Sequence, residues 1–199
     1  LSYHIQIFLL KAKRFDLYPT LLDTFPTIRQ QEREYLSTVQ NAYLSQNRER
    51  VLYFAQREDM LFGSFYVSDI SLLQDIRGSF TKLTIRFTAK KSPYSNLEGI
   101  TCQDLKISCK GKRKFSGILP KVENSVSIQR LTFSEENFSQ FSSSLTSLVL
   151  VNTQQTPDLT QFPNLHTLKL IACGLKEPSY LPPRLRVLNL SSNDFRSFP

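Results

Sequence analysis

The chain contains few side chains that could serve as nucleophiles, acid–base groups or metal ligands. It has three cysteines, Cys102, Cys109 and Cys173, and two histidines, His4 and His166. Their spacings fit no zinc site, because Cys102 and Cys109 lack a second closely spaced pair. A reactive thiol needs a neighbouring cation or histidine, and the sequence places none beside Cys173. Phosphate-binding, dinucleotide-binding, nucleophile-elbow and zinc-protease motifs are absent. We therefore expect a protein that is not an enzyme and that has no metal or cofactor.

The densest cluster of charge is basic and consists of Lys110, Lys112, Arg113 and Lys114. The whole chain carries 25 Lys+Arg against 17 Asp+Glu, a formal net charge of +8. This basic patch is interpreted either as a nuclear-import or nucleic-acid contact or as a solvated loop between strands. No ribonucleoprotein-type aromatic motif accompanies it. A nucleic-acid- or chromatin-associated protein is therefore the alternative function.

Composition and apolar segments bear on where the protein works. The chain has 199 residues, of which 40% are hydrophobic and 21% charged, which is typical of a globular protein. Three cysteines do not make a disulfide scaffold. No apolar run approaches the roughly 20 residues that cross a bilayer, and the positive charges near the start follow the apolar run instead of preceding it. These features predict an intracellular protein, nuclear or cytoplasmic, without membrane association.

Leucines recur at a constant period in the last third of the chain. Three segments of the form L-x-x-L-x-L begin at Leu145, Leu165 and Leu185, 20 residues apart. Cys173 and Asn193 stand three residues after the last leucine of their segments, where a small or polar group can satisfy the backbone of a turn. Such units bury their leucines only by stacking on neighbours. The pattern therefore predicts a short solenoid with inward-pointing leucines.

The pattern continues upstream in a less regular form. Ile128, with Leu131 and Phe133 in the next two apolar positions, is predicted to begin a degenerate first repeat. The stretches that begin at Cys102 and Phe80 alternate in the same way. Alternation marks any half-buried strand, so these two stretches fit either degenerate repeats or strands of a separate domain.

The first eighty residues show a helical period instead. A shorter helix is predicted over Asp69–Arg77, with Gly78 as its stop. A longer stripe lies within residues 27–50 and comprises Tyr35, Leu36, Val39 and Tyr43.

The predicted fold class is therefore α/β, with a leucine solenoid preceded by a mixed α/β region that is mainly helical at its start. Residues 1–79 form that N-terminal region, 80–127 are irregular strands of either part, and 128–199 are the repeats. The chain stops inside the third copy without a polar cap. We expect the solenoid to be truncated there, or its open face to be covered by a partner.

Positions between the leucines predict a binding surface, because side chains alternate along a strand. On the concave face, Val149, Val151 and Ile171 would form an apolar patch with a basic flank. This mixture suits a protein partner with an acidic surface better than nucleic acid. The predicted protein-binding residues are Arg130, Ser147, Val149, Val151, Thr167, Lys169, Ile171, Val187 and Asn189.

The pattern L-x-x-L-x-L-x-x-[N/C]-x-L resembles the leucine-rich repeat superfamily, which implies a protein-binding scaffold. Irregular repeats behind a non-repeat region, with free cysteines, resemble the substrate receptors of cullin-RING ubiquitin ligases. Within that group, the chain resembles both the F-box type and the type with a pleckstrin-homology-like N-terminal domain. This resemblance implies a cullin-RING adaptor and an acidic substrate as partners. The stretch Leu181–Leu185 also resembles repeats of bacterial secreted effectors, a minor alternative.

Overall fold

Parallel strands make up most of the structure. The computed structural model describes residues 18–31, 42–43, 61–67, 77–87, 94–177 and 180–196. Helices are few in this part of the chain: α1 at Tyr18–Thr24, a helical stretch at 26–31, the short α2 at Glu135–Phe138 and a 3-10 turn at Leu159–Gln161. The strands are β1 Ala42–Tyr43, β2 Leu61–Val67, β3 Gly78–Phe87, β4 Tyr94–Asn96, β5 Ile100–Lys114, β6 Ser116–Ile118, β7 Lys121–Thr132, β8 Ser147–Val151, β9 Thr167–Ile171 and β10 Val187–Asn189.

Eight of these strands form one sheet, here called the main sheet, in the order β1-β2-β3-β5-β7-β8-β9-β10. Every neighbouring pair in it is parallel. β4 and β6 form a second, two-stranded parallel sheet. Because neighbouring strands are parallel, the chain must return to the same end of the sheet before each new strand begins. The chain therefore winds as a solenoid of about five turns, which confirms the predicted solenoid.

Two columns of apolar side chains line the inner side of the main sheet from β3 to β9. Strand pairing sets the members of each column directly opposite one another, and each is at most 2% exposed. The first column is Leu83, Leu105, Val126, Leu148 and Leu168, and the second is Ile85, Ile107, Ile128, Leu150 and Leu170. The arrangement ends at β10, where Leu188 pairs with Leu168 but is 43% exposed.

The irregular upstream segments lie in the same main sheet as the regular coils. Phe80 of β3 pairs with Cys102 of β5, in agreement with the predicted alignment of these two stretches. The predicted repeat that begins at Ile128 is wrong in register. Val126 pairs with Leu148, so Ile128 takes the last apolar position of its coil instead of the first. Two alternating registers are possible in this segment, and pairing with the neighbouring strands selects between them.

The predicted helices of the first eighty residues fall mostly outside the described residues. Three positions can be compared. Arg77, the predicted last residue of the shorter helix, is not helical, and Gly78, its predicted stop, begins β3. Tyr43 belongs to the predicted helical stripe but lies in β1, where it pairs with Tyr66. Pairing along a neighbouring strand here overrides the local helical period, so the helical prediction is wrong for this residue. The predicted boundaries after residues 79 and 127 fall within β3 and β7. The division into domains stays a prediction.

In each of the later coils, a residue with left-handed backbone stands two positions after the residue of the second apolar column or its equivalent, Leu190. These residues are Arg130, Asn152, Ala172 and Ser192, with φ of 61°, 55°, 53° and 59°. Residues other than glycine rarely adopt this conformation. Its recurrence at one place in successive coils shows that it belongs to the turn of the solenoid.

Phenylalanine rings fill the core behind β5 and β7. Phe115 lies 6.3 Å from Phe87 and 5.3 Å from Phe133, measured between ring centroids. Phe138 continues the series at 6.1 Å from Phe133 and 5.9 Å from Phe141. Rings at such separations attract one another beyond the burial of their area. The series supplies the packing that the leucines supply in later coils.

Candidate functional site: the outer face of the main sheet

The side chains that alternate with the buried columns form three rows on the opposite side of the main sheet, here called the outer face. Parallel pairing brings one residue of each main-sheet strand from β3 to β10 into the first and second rows, and one of each from β3 to β9 into the third. The first row is Lys82, Asp104, Ser125, Ser147, Thr167 and Val187; the second is Thr84, Lys106, Ser127, Val149, Lys169 and Asn189; the third is Arg86, Ser108, Gln129, Val151 and Ile171.

Eight of the nine predicted binding residues lie in these rows. Val149 pairs with Lys169 in the second row, and Val151 pairs with Ile171 in the third. Val187 is 45% exposed on β10. The eight that the structure brings together are Ser147, Val149, Val151, Thr167, Lys169, Ile171, Val187 and Asn189.

Arg130 is the exception, and its predicted place in the rows is wrong. The register of β7 puts Ser125, Ser127 and Gln129 opposite the outward residues of β8. Arg130 follows Gln129 at the left-handed turn and is exposed. Sequence reasoning missed Ser125, Ser127 and Gln129. Val126 and Ile128 could have revealed them, because each precedes its apolar counterpart in the next coil, Leu148 or Leu150, by 22 residues.

The outer face carries a net positive charge. Its described positions on β3 to β10 include the cations Lys82, Arg86, Lys106 and Lys169, against one acidic residue, Asp104. Because like charges on one sheet repel and opposite charges attract, this surface favours an acidic partner.

Asp104 is already engaged by hydrogen-bond donors of the next strand. Its Oδ1 accepts from the Ser125 hydroxyl at 2.6 Å and from the Asn124 side-chain amide at 2.9 Å. Asn124 Oδ1 in turn accepts from the Thr146 hydroxyl at 2.8 Å. This chain of polar side chains links β5, β7 and the start of β8. It therefore holds the register of the outer face at its acidic position.

An apolar patch occupies the outer face at β8 and β9. Val149, Val151 and Ile171 are each half-buried, although they point away from the inner columns. Neighbouring strands lie about 4.8 Å apart, so the three side chains are within contact range of one another. A partner that covers this patch would gain hydrophobic free energy on a surface of net positive charge.

The predicted basic patch lies at the far end of β5. Lys110, Lys112, Arg113 and Lys114 are all exposed there. The Arg113 guanidinium donates to the Lys112 carbonyl oxygen at 3.1 Å. The patch is thus part of a strand, where the sequence indicated a loop as one interpretation.

The three cysteine thiols are free and buried. Cys102, Cys109 and Cys173 are free, and each is at most 6% exposed. Burial raises the pKa of the Cys102 thiol to about 12, and the nearby carboxylates of Asp104 and Glu123 add to the rise. Cys173 Sγ lies 3.3 Å from the Thr153 hydroxyl. The predicted role of Cys173 as a small buried group is confirmed, and no group of metal ligands occurs among the described residues.

A pocket of about 440 Å³ lies beside β6 and α2. Lys114, Phe115 and Asn137 are among its lining residues. Asn137 is 6% exposed, and its side-chain amide donates to the Gly117 carbonyl oxygen at 2.6 Å. Its polar atoms are therefore used to hold β6 and α2 together.

Comparisons with known proteins do not assign the chain to a family. No protein-family model, curated protein or solved structure matches it. Across the described residues, no helix combines the length and the apolar character needed to cross a membrane.

Proposed function

We propose that this chain is a non-enzymatic interaction module of the leucine-rich repeat type that binds a protein partner on the outer face. The observation that carries the proposal is the apolar patch of Val149, Val151 and Ile171, with Lys169 beside Val149 and Lys106 in the same row. These side chains do not contribute to the stacked inner columns. Their half-burial gives a partner an apolar centre, and Lys106 and Lys169 give it a charged surround.

The sharper proposal is that the partner is a substrate delivered to a cullin-RING ubiquitin ligase. It rests on the resemblance of the irregular repeats and predicts that a cullin adaptor accompanies the substrate.

The test is affinity purification from cells that express the protein, followed by identification of the bound proteins. The double variant Val149→Asp and Ile171→Asp places two carboxylates in the apolar patch and should abolish partner binding. Gln154→Asp with Gln155→Asp is the matched control, since it adds two carboxylates at exposed positions just after β8. Partner retention by the patch variant, at the level of the control, would overturn the proposal. Cullin adaptors among the bound proteins would support the ligase role, and their repeated absence would refute it.

A further inference from the structure

The strand β5 contains a bulge beside the third row of the outer face. Ser108 pairs with Gln129, but the next pair is Arg113 with Leu131. Four residues of β5, Cys109–Lys112, therefore lie opposite the single residue Arg130. A bulge of this size redirects the side chains around it and ends the regular ladder.

The bulge brings two separate parts of the sequence into one cationic cluster, here called the bulge cluster: Lys110, Lys112, Arg113, Lys114 and Arg130. The Arg130 guanidinium reaches back to the Lys110 carbonyl oxygen at 3.5 Å. All five side chains are exposed. Within the described part of the chain, none of them forms an ion pair with a carboxylate. Their charges are thus available to an anionic ligand.

The bulge cluster is continuous with the apolar patch. Arg130 follows Gln129, which pairs with Val151, and Val151 pairs with Ile171. With strands about 4.8 Å apart and a rise of about 3.3 Å per residue, the Cα atoms of Arg130 and Val151 are roughly 6 Å apart. One ligand can therefore contact both.

We propose that the bulge cluster binds carboxylates of an extended, acidic protein segment whose apolar side chains cover Val149, Val151 and Ile171. This inference rests on the proposed function and specifies the chemistry of the partner. Lys110 and Arg130 lie on the β5 side of the patch. The planar guanidinium of Arg130 can hold a carboxylate through two parallel hydrogen bonds.

Charge alone would also suit a nucleic-acid backbone. Single strands, however, bind by stacking bases on aromatic side chains as well as by charge. Aromatic residues in register with the rows, Phe62 and Tyr66, occur on β2, at the opposite end of the main sheet from the patch. The described outward positions on β3 to β10 carry no aromatic side chain, and a valine–isoleucine patch lies next to the bulge cluster. The surface therefore favours an acidic, partly apolar peptide.

The test measures fluorescence anisotropy with four labelled probes. The first is a dodecapeptide of alternating Glu-Glu and Leu-Val pairs. The second has Lys for Glu, the third has Ser for Leu and Val, and the fourth is oligothymidylate. The first peptide should bind at least about tenfold more tightly than the other three.

Variants then assign the binding to the bulge cluster. Lys110→Ser with Arg130→Gly should weaken the first peptide by about tenfold or more. Glycine suits the left-handed backbone at residue 130, so this variant keeps the fold. Lys121→Ser with Lys176→Ser removes the same charge from two other exposed lysines and should leave the affinity unchanged.

Several results would overturn the inference. One is failure of the first peptide to bind at about 100 µM, and another is equal binding by the bulge variant and its control. Tighter binding of oligothymidylate, with affinity falling by orders of magnitude between about 50 and 200 mM salt, would assign the bulge cluster to nucleic acid. In each case, loss of the cellular partner by the Val149→Asp, Ile171→Asp variant would leave the proposed function standing.

Discussion

Asn193 accepts the backbone N–H of Cys173, 20 residues earlier, on its side-chain oxygen at 2.8 Å. The same side chain donates to the carbonyl oxygens of Leu170 at 2.6 Å and Leu190 at 2.7 Å. It also accepts from the Leu175 N–H at 3.2 Å. One amide thus satisfies backbone groups of two successive coils where both leave the main sheet.

Asn193→Ala should lower the free energy of unfolding by about 1–3 kcal/mol, because it leaves those backbone groups without partners. Asn193→Asp keeps the acceptor and loses the donors, so it should also destabilise the protein. Urea denaturation followed by circular dichroism measures both. An Asn193→Ala variant within about 0.5 kcal/mol of wild type would contradict the bridging role.

Leu168 and Leu188 form a matched pair, since they are register partners in adjacent strands with different exposure. Leu168→Ala should cost about 2–5 kcal/mol, because it opens a cavity between neighbouring coils. Leu188→Ala should cost less than half as much, since its side chain is 43% exposed. Equal costs in chemical denaturation would show that the two columns are not packed as described.

The Cys102 thiol should couple stability to alkaline pH. Its pKa is raised from 9.0 to about 12 in the folded protein, so folding favours the neutral thiol. This contribution is complete below about pH 9 and is lost as the pH rises towards 12. Cys102→Ala should flatten the decline of stability in that range. An unchanged decline in the variant would assign it to other groups.

The same burial predicts that the described cysteines react slowly with a thiol reagent such as DTNB in the native protein. Reaction should become fast only in denaturant, because burial keeps the reagent away from all three thiols and, at Cys102, also raises the pKa of the thiol. Rapid native reaction of Cys102, Cys109 or Cys173, located by peptide mapping, would contradict the core described above.

Arg130→Val should destabilise the protein by about 1–2 kcal/mol, because a β-branched residue fits poorly at φ of 61°. Arg130→Gly should be neutral or slightly stabilising. The control is Gln129→Val, at the preceding outward position of a strand, where valine is well tolerated. Thermal unfolding of the three variants separates them, and equal melting temperatures would argue against the left-handed turn.

The regular coils were predictable from sequence because their leucines settle both the period and the inward face. Leu148 and Leu168 pair as their 20-residue spacing indicates. In β7 the same reasoning failed, because Leu131 and Phe133 imitate the leucine positions as well as Val126 and Ile128 fill them. A local pattern contains no information about which alternation meets the neighbouring strand.

The site was predictable to a similar degree. Val149 and Ile171 follow from alternation within regular coils, and the structure places both on the outer face. The approach of Arg130 to Lys110 depends on the bulge in β5, which lies opposite the left-handed backbone of Arg130 in β7. Gly111 marks this bulge only weakly in the sequence, so the bulge cluster emerges from the structure alone.

Neighbour-only pairing in the main sheet makes the molecule a linear array of coupled units. Leu148 is on the strand next to Leu168, so a double-mutant cycle between the two should show an interaction energy. Leu83 lies four strands away from Leu168, so the effects of substituting these two residues on stability should be additive. A ligand that lies across β5 to β9 adds a longer-range connection that the polypeptide itself lacks. Its binding should therefore raise the cooperativity of unfolding along with the midpoint.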